Sequence, residues 1–203
     1  MIRMAKIADL WEHHDWSSAE YAKQWAEGQD PKEPERAEPF RLLTEAIPYP
    51  KDAPITILDL GSGPGALCQV LLDHFPQAKA VCHDGSDEMI KLGQTRLVEF
   101  GDRVRHVQAD FSHGGWSEKI GGNFEAVVSS IAIHNVRSYD VIQSIYSEAL
   151  TLLKPGGCFL NFDRMRPSVE DQLKWLREIG YENVRSFWNS PKRAVIGGFR
   201  KKN

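Results

Sequence analysis

The sequence has no apolar run approaching the roughly 18 residues that a membrane-spanning helix needs. It also has no large excess of either charge. Its 25 Lys+Arg stand against 28 Asp+Glu, leaving −3 at pH 7. The overall balance therefore gives no reason to expect nucleic-acid or membrane binding. Cysteine is scarce, with three in 203 residues. Cys68, Cys82 and Cys158 are odd in number, far apart in the chain and set in apolar stretches, which argues against a disulfide framework. They are expected to be reduced core thiols in a cytoplasmic protein. The first residues turn polar too early for a secretory leader. No internal repeat or low-complexity tract is visible. What remains is 41% hydrophobic and 26% charged, the composition of an ordinary globular domain large enough to bury a core.

The first 50 residues read as a helical lid ahead of a single globular unit over 51–203. Ile7, Leu10, Trp11, Ala22 and Trp25 recur at roughly helical spacing, and Ser17 or Ser18 can cap a helix that starts near Glu20. Residues 30–38 hold two prolines and mostly charges, the pattern of a solvated connection, and 39–47 look helical.

From residue 55 strands and helices alternate. Residues 55–61, 79–84, 104–110, 124–133 and 158–163 read as strands, with 55–61 and 124–133 as buried ones. Helical patterns follow at 65–75, 87–100, 138–153 and 168–179. Pro155-Gly156-Gly157 and Gly180 act as stops. Residues 183–189 and 194–200 form a terminal hairpin. This order predicts an α/β fold: a Rossmann-like, seven-stranded, mostly parallel sheet, with a C-terminal antiparallel hairpin and helices on both faces. Ligands in such sheets sit beyond the carboxyl ends of the strands, where strand order reverses.

The sharpest local signal is ILDLGSGPG, residues 57–65. Gly61, Gly63 and Gly65 follow a strand and open a helix, so the turn can take positive φ and admit a ligand to the backbone. The spacing of Gly61, Gly63 and Ala66 formally meets the dinucleotide pattern. Asp59 would repel a pyrophosphate at that turn and attract an ammonium group instead. Pro64 removes an N–H that a phosphate would use. A cationic nucleoside bearing an amino acid fits better. Asp84 ends the second strand, where an acid can accept from ribose hydroxyls, and Gly85, Ser86 and Met89 follow it. Asp110 and Phe111 end the third strand, a carboxylate for an exocyclic amine beside an aromatic surface for a base.

Five segments together, DLGSGPG (59–65), HDGSDEM (83–89), QADF (108–111), SSIAIHN (129–135) and LKPGG (153–157), resemble the successive motifs of class I S-adenosylmethionine-dependent methyltransferases of the small-molecule type. The resemblance covers residues 55–203 and implies S-adenosylmethionine as methyl donor, with S-adenosylhomocysteine as product. Carried over, Asp59 and the turn Gly61-Ser62-Gly63-Pro64-Gly65 hold the methionine part. Asp84 with Gly85 holds the ribose. Met89, Ala109, Asp110 and Phe111 hold the adenine, and Ser130, within 129–134, lines the sulfonium side. Many relatives insert a long segment after the fifth strand. Here only RMRP separates Asp163 from Ser168, so the substrate cover must come from the first 50 residues and the loop around 133–140.

Methyl transfer from a sulfonium is an in-line displacement, so the protein chiefly aligns the nucleophile and excludes water. A base is needed only for a protonated acceptor. His134, after the fourth strand, is the leading candidate, with strand capping or packing as its other reading. Asp163 is the second, with an ion pair to Arg164 or Arg166 as the alternative. Tyr21, beside Trp11, Trp16 and Trp25, reads either as core packing or as a lid residue reaching the methionine carboxylate. His13-His14-Asp15 cannot all ligate one ion from adjacent helical positions, so no metal is expected. The five basic residues of 192–203 read as guards of an edge strand. The expected activity is methylation of an oxygen or nitrogen, with carbon third, on a small molecule. The chain is expected to work as a monomer or homodimer without membrane or nucleic-acid partners. Methylation of a tRNA or other RNA nucleotide, and a non-catalytic S-adenosylmethionine-binding module, are the alternatives.

Overall fold

The computed structural model describes residues 14–29, 32–136 and 138–202. Two helices come first, α1 (Ala19–Glu27) and α2 (Glu33–Glu45). The alternating part runs β1 (Thr56–Leu60), α3 (Ala66–His74), β2 (Lys79–Asp84), α4 (Asp87–Arg96), β3 (Val104–Gln108), α5 (Trp116–Ile120) and β4 (Phe124–Ser130). It continues through α6 (Tyr139–Leu152), β5 (Leu153–Arg164), α7 (Val169–Ile179), β6 (Glu182–Asn189) and β7 (Arg193–Phe199).

The seven strands form one sheet in the order β3-β2-β1-β4-β5-β7-β6. The first five run parallel, while β7 is antiparallel to both β5 and β6. Strand order reverses between β1 and β4, which opens a crevice at the carboxyl ends of those two strands. Both faces of the sheet are covered, as the unbroken apolar runs require. Ile57 joins a core layer with α2 and α3, while Leu58 and Leu60 point into a second layer with α5, α6 and α7. Asp59 shares the face of Ile57, so the strand's alternation turns its carboxylate toward α3. Cys68, Cys82 and Cys158 are free and buried, as expected, but the fold brings two of the thiols together: Sγ of Cys82 lies 3.2 Å from that of Cys68.

Several local readings change. The segment 30–38 is not all connection, because α2 starts at Glu33 with Pro34 in its first turn, where a missing N–H costs nothing. It continues through Pro39 because Phe40 and Leu43 are buried on the sheet, and that packing outweighs one lost backbone bond. Helix α2 packs on β5, β6, β7 and α3, while α1 rests on α4. Strand β4 stops at Ser130 rather than 133. Ile131 donates to the Phe162 carbonyl at 2.8 Å, turns to a φ of 53°, and leads into a 3₁₀ turn, Ile133–Val136. Helix α4 ends at Arg96, not 100. A 3₁₀ turn follows, in which Gly101 leaves helical geometry. Helix α6 does end before Pro155, but Leu153 already pairs with Phe124, so β5 begins with no intervening loop. Helix α5 was not visible in the pattern; it buries Trp116 and Ile120. The expectations for Ile7, Leu10, Trp11 and His13 fall outside the described residues.

Candidate functional site

A cavity of about 360 Å³ lies over the carboxyl ends of β1, β2 and β4. Its floor is the turn after β1. Ser62 N–H donates to the His83 carbonyl, and Gly65 N–H to the Ser62 carbonyl, each at 2.9 Å. Gly61 must be glycine twice over. Its φ is 65°, and a Cβ there would lie 2.4 Å from the Ala132 Cβ and 3.2 Å from the Phe111 ring.

Asp59 lies on the cavity wall, is 1% exposed, and has no hydrogen-bond partner on either carboxylate oxygen. A buried carboxylate without donors is costly and shifts toward its neutral form. Burial first, then the charge of Asp84, push its pKa from 3.8 up to about 7. The Cys68 backbone amide approaches without closing a bond and offsets part of the rise. What this position lacks is a cationic donor, the role an amino acid's ammonium would fill.

Asp84 closes the next strand. Its Oδ2 accepts from Gly63 N–H at 2.8 Å and its Oδ1 from Ser86 N–H at 2.9 Å. Burial raises its pKa, while these amides and that of Gly85 pull it back. The carboxylate thus ties two strand tips together and still faces the cavity. Ser86 caps α4 by accepting from Met89 N–H at 3.2 Å, and its hydroxyl donates to the Trp16 carbonyl. That bond fastens the N-terminal segment to the rim. Trp16 and Trp25, edge to face at 5.4 Å, line the cavity beside Met89.

Asp110 and Phe111 also line the cavity. Burial alone would raise the Asp110 pKa, but bonds from Ser112 and His113 bring it below the usual range. Its Oδ1 accepts from Ser112 N–H at 2.8 Å, so the carboxylate is engaged in its own turn. Phe111 lies 5.6 Å from the buried His83 ring, which burial keeps neutral, with a pKa of about 4. Ser62, Gly63, Gly85 and Ser130 are on the wall. Ala109 is buried beneath it and donates its N–H to the Asp84 carbonyl.

Gly65 is not on the wall, and three further sequence candidates stand elsewhere. Tyr21 does not line the cavity, and its hydroxyl contacts His14 Nδ1. His134 and Asp163 are also off the wall and are buried against each other. His134 N–H donates to Asp163 Oδ2 at 3.0 Å, and Nδ1 lies 2.6 Å from Oδ1. Asp163 therefore anchors the 3₁₀ turn that carries Asn135 and Val136 onto the wall. Ile131 sits on that wall with its positive φ, a strained setting for a β-branched residue.

Sequence reasoning missed Arg36 and Phe40. Both are buried and both line the cavity. The available signal was spacing, since Arg36, Phe40 and Leu43 fall on one helical face. Among the described residues on the wall, Arg36 is the only cation, and no histidine, lysine, tyrosine or cysteine joins it. No group of three potential metal ligands occurs among the described residues, and none of their helices is long and apolar enough to cross a membrane.

Residues 57–157 match the family model described as a methyltransferase domain. A trans-aconitate 2-methyltransferase from Acidovorax ebreus (strain TPSY) is 28% identical over 144 residues, which is 71% of this chain and 48% of the relative. The chain thus spans about half the length of that curated relative. An O-methyltransferase family protein from Burkholderia thailandensis superposes with a TM-score of 0.72 at 15% identity, covering 94% of this chain and 61% of that one. PigF with SAH gives 0.69 at 15% identity, covering 95% of this chain and 61% of that one.

Proposed function

Because the chain belongs to the class I S-adenosylmethionine-dependent methyltransferases, we propose that its cavity binds S-adenosylmethionine and directs the methyl group to a carboxylate oxygen of a small organic acid. When bound, S-adenosylmethionine supplies an activated methyl group on a cationic sulfur. The residues fit it. Asp59 offers a buried, unpartnered carboxylate for the ammonium, and the turn leaves open space over Gly63, where an added Cβ would meet nothing within 4 Å. Asp84 faces the ribose hydroxyls, and Met89 and Phe111 offer flat apolar contact for the base. Trp16 and Trp25 add apolar wall to the same cavity and help exclude water from it.

One observation carries the choice of acceptor: among the described residues, the wall holds no side chain suited to take a proton from an alcohol or amine, apart from the aspartates assigned to the donor. An acid ionised at neutral pH needs no such base. An oxygen of such an acid would take the methyl group directly from bound S-adenosylmethionine, so no residue of the wall would have to accept a proton. The trans-aconitate 2-methyltransferases are named for an acid of this kind. His134 and Asp163 act by holding the wall, not as a base.

Incubation with methyl-labelled S-adenosylmethionine and a panel of di- and tricarboxylic acids, phenols and amines tests this reading. Label in a carboxylic acid, released by mild alkali as methanol, is the expected result. Label only in phenols or amines contradicts it.

A further inference from the structure

The cavity is an acidic place with one exception. Asp59, Asp84 and Asp110 line it, and Arg36 is the sole cation among the described wall residues. Arg36 is only 7% exposed, and its Nη2 donates to the side-chain oxygen of Gln29. Guanidinium groups keep their charge at any working pH. The position is structurally deliberate. Arg36 lies one turn before Phe40, whose ring stands edge to face at 5.9 Å on Phe162 of β5. Helix α2 is thereby fixed to the sheet, and Arg36 is presented by a rigid element instead of a loop. A neighbouring groove between α2 and α3 meets the cavity at Arg36, Phe40 and Ala66. Arg36 therefore stands at the Ala66 edge, where α3 begins and toward which the Asp59 carboxylate is turned.

Resting on the methyl-transfer reading, we propose that Arg36 is the carboxylate anchor of this cavity. A planar fork of donors suits a carboxylate better than any other group expected here. Two molecules bring one to the site: the donor, whose amino acid carries a carboxylate beside the ammonium that faces Asp59, and the acid acceptor. Asp59 and Arg36 together would read the opposite charges of an amino acid. Arg36 alone would seat an acid.

The test compares wild type with Arg36→Met and Arg36→Lys by calorimetry. The probes are S-adenosylhomocysteine, its analogue 5′-deoxy-5′-(3-aminopropylthio)adenosine, which lacks only the carboxylate, and 5′-methylthioadenosine, which lacks the whole amino acid. trans-Aconitate is then titrated into protein saturated with S-adenosylhomocysteine. If the donor is the source, Arg36→Met weakens S-adenosylhomocysteine at least tenfold and leaves the other two nucleosides unchanged. If the acceptor is the source, all nucleosides bind as before and trans-aconitate loses at least tenfold. Arg36→Lys recovers part of either loss. Unchanged binding of every probe, or an equal loss that includes 5′-methylthioadenosine, overturns the assignment. Wild-type protein that binds none of the nucleosides overturns the donor reading itself, and the anchor falls with it.

Discussion

Asp163 accepts a hydrogen bond from the His134 backbone N–H at 3.0 Å, and its other oxygen lies 2.6 Å from the ring Nδ1. One carboxylate at the end of β5 thus fixes the turn that follows β4, and with it the wall residues Asn135 and Val136. If the pair positions the wall, His134→Gln and Asp163→Asn lower turnover and donor affinity together, and the pH profile of kcat keeps its shape. A large fall in turnover alone, with loss of one limb of the profile, would restore His134 as a base.

Asp59 links pH to both stability and binding. Its carboxyl is ordinarily half-ionised at 3.8 but in the folded protein at about 7. Below pH 4 both states hold the proton. From there to pH 7 the unfolded chain ionises first, so stability falls as pH rises, and above 7 the deficit is constant. Asp59→Asn removes that deficit. Denaturant unfolding at pH 8 should show a gain of roughly 2–4 kcal/mol, with little change at pH 4.

The same variant should lose the donor. S-adenosylhomocysteine needs the ionised carboxylate, so its affinity for wild type rises with pH toward 8 and proton release accompanies binding at pH 6.5. Asp59→Asn should bind weakly with no such slope. A pH-independent wild-type affinity would remove the ammonium role.

Asp84→Ala strips the acceptor of two backbone amides as well as the proposed ribose contact. Donor affinity should fall by roughly 1.5–3 kcal/mol, the scale of lost charged hydrogen bonds. Unchanged affinity in a folded variant would refute the assignment.

Two glycines in one turn should respond differently to alanine. Gly63 has a φ of 52° but nothing within 4 Å of an added Cβ. Its replacement should cost about 1 kcal/mol, from backbone strain alone. At Gly61 the added carbon meets Ala132 at 2.4 Å as well. That variant should lose about 2–4 kcal/mol and bind donor poorly, from strain plus forced displacement of the wall. Equal unfolding midpoints would contradict the packing argument.

The sheet was legible because its central strands β1, β4 and β5 are buried on both faces and proline and glycine punctuate the chain between elements. The acidic rim was legible because Asp59, Asp84 and Asp110 each stand at or just after the carboxyl end of a strand. Helix α2 was not, because its first turn is charged and proline-bearing, and its helical state depends on burying Phe40 and Leu43 on the sheet. Arg36 was hidden for the same reason: a basic residue in a charged stretch reads as solvated until the helix face is known. His134 stood at the expected strand end, but only the fold reveals Asp163, 29 residues away, against its ring.

The central claim is that the strand-tip aspartates grip a cationic nucleoside bearing an amino acid. Calorimetric titration of the wild-type chain with S-adenosylhomocysteine and, separately, with NAD tests it most directly. The account predicts one-to-one micromolar binding of S-adenosylhomocysteine and no heat with NAD; binding of NAD with none of S-adenosylhomocysteine would contradict it.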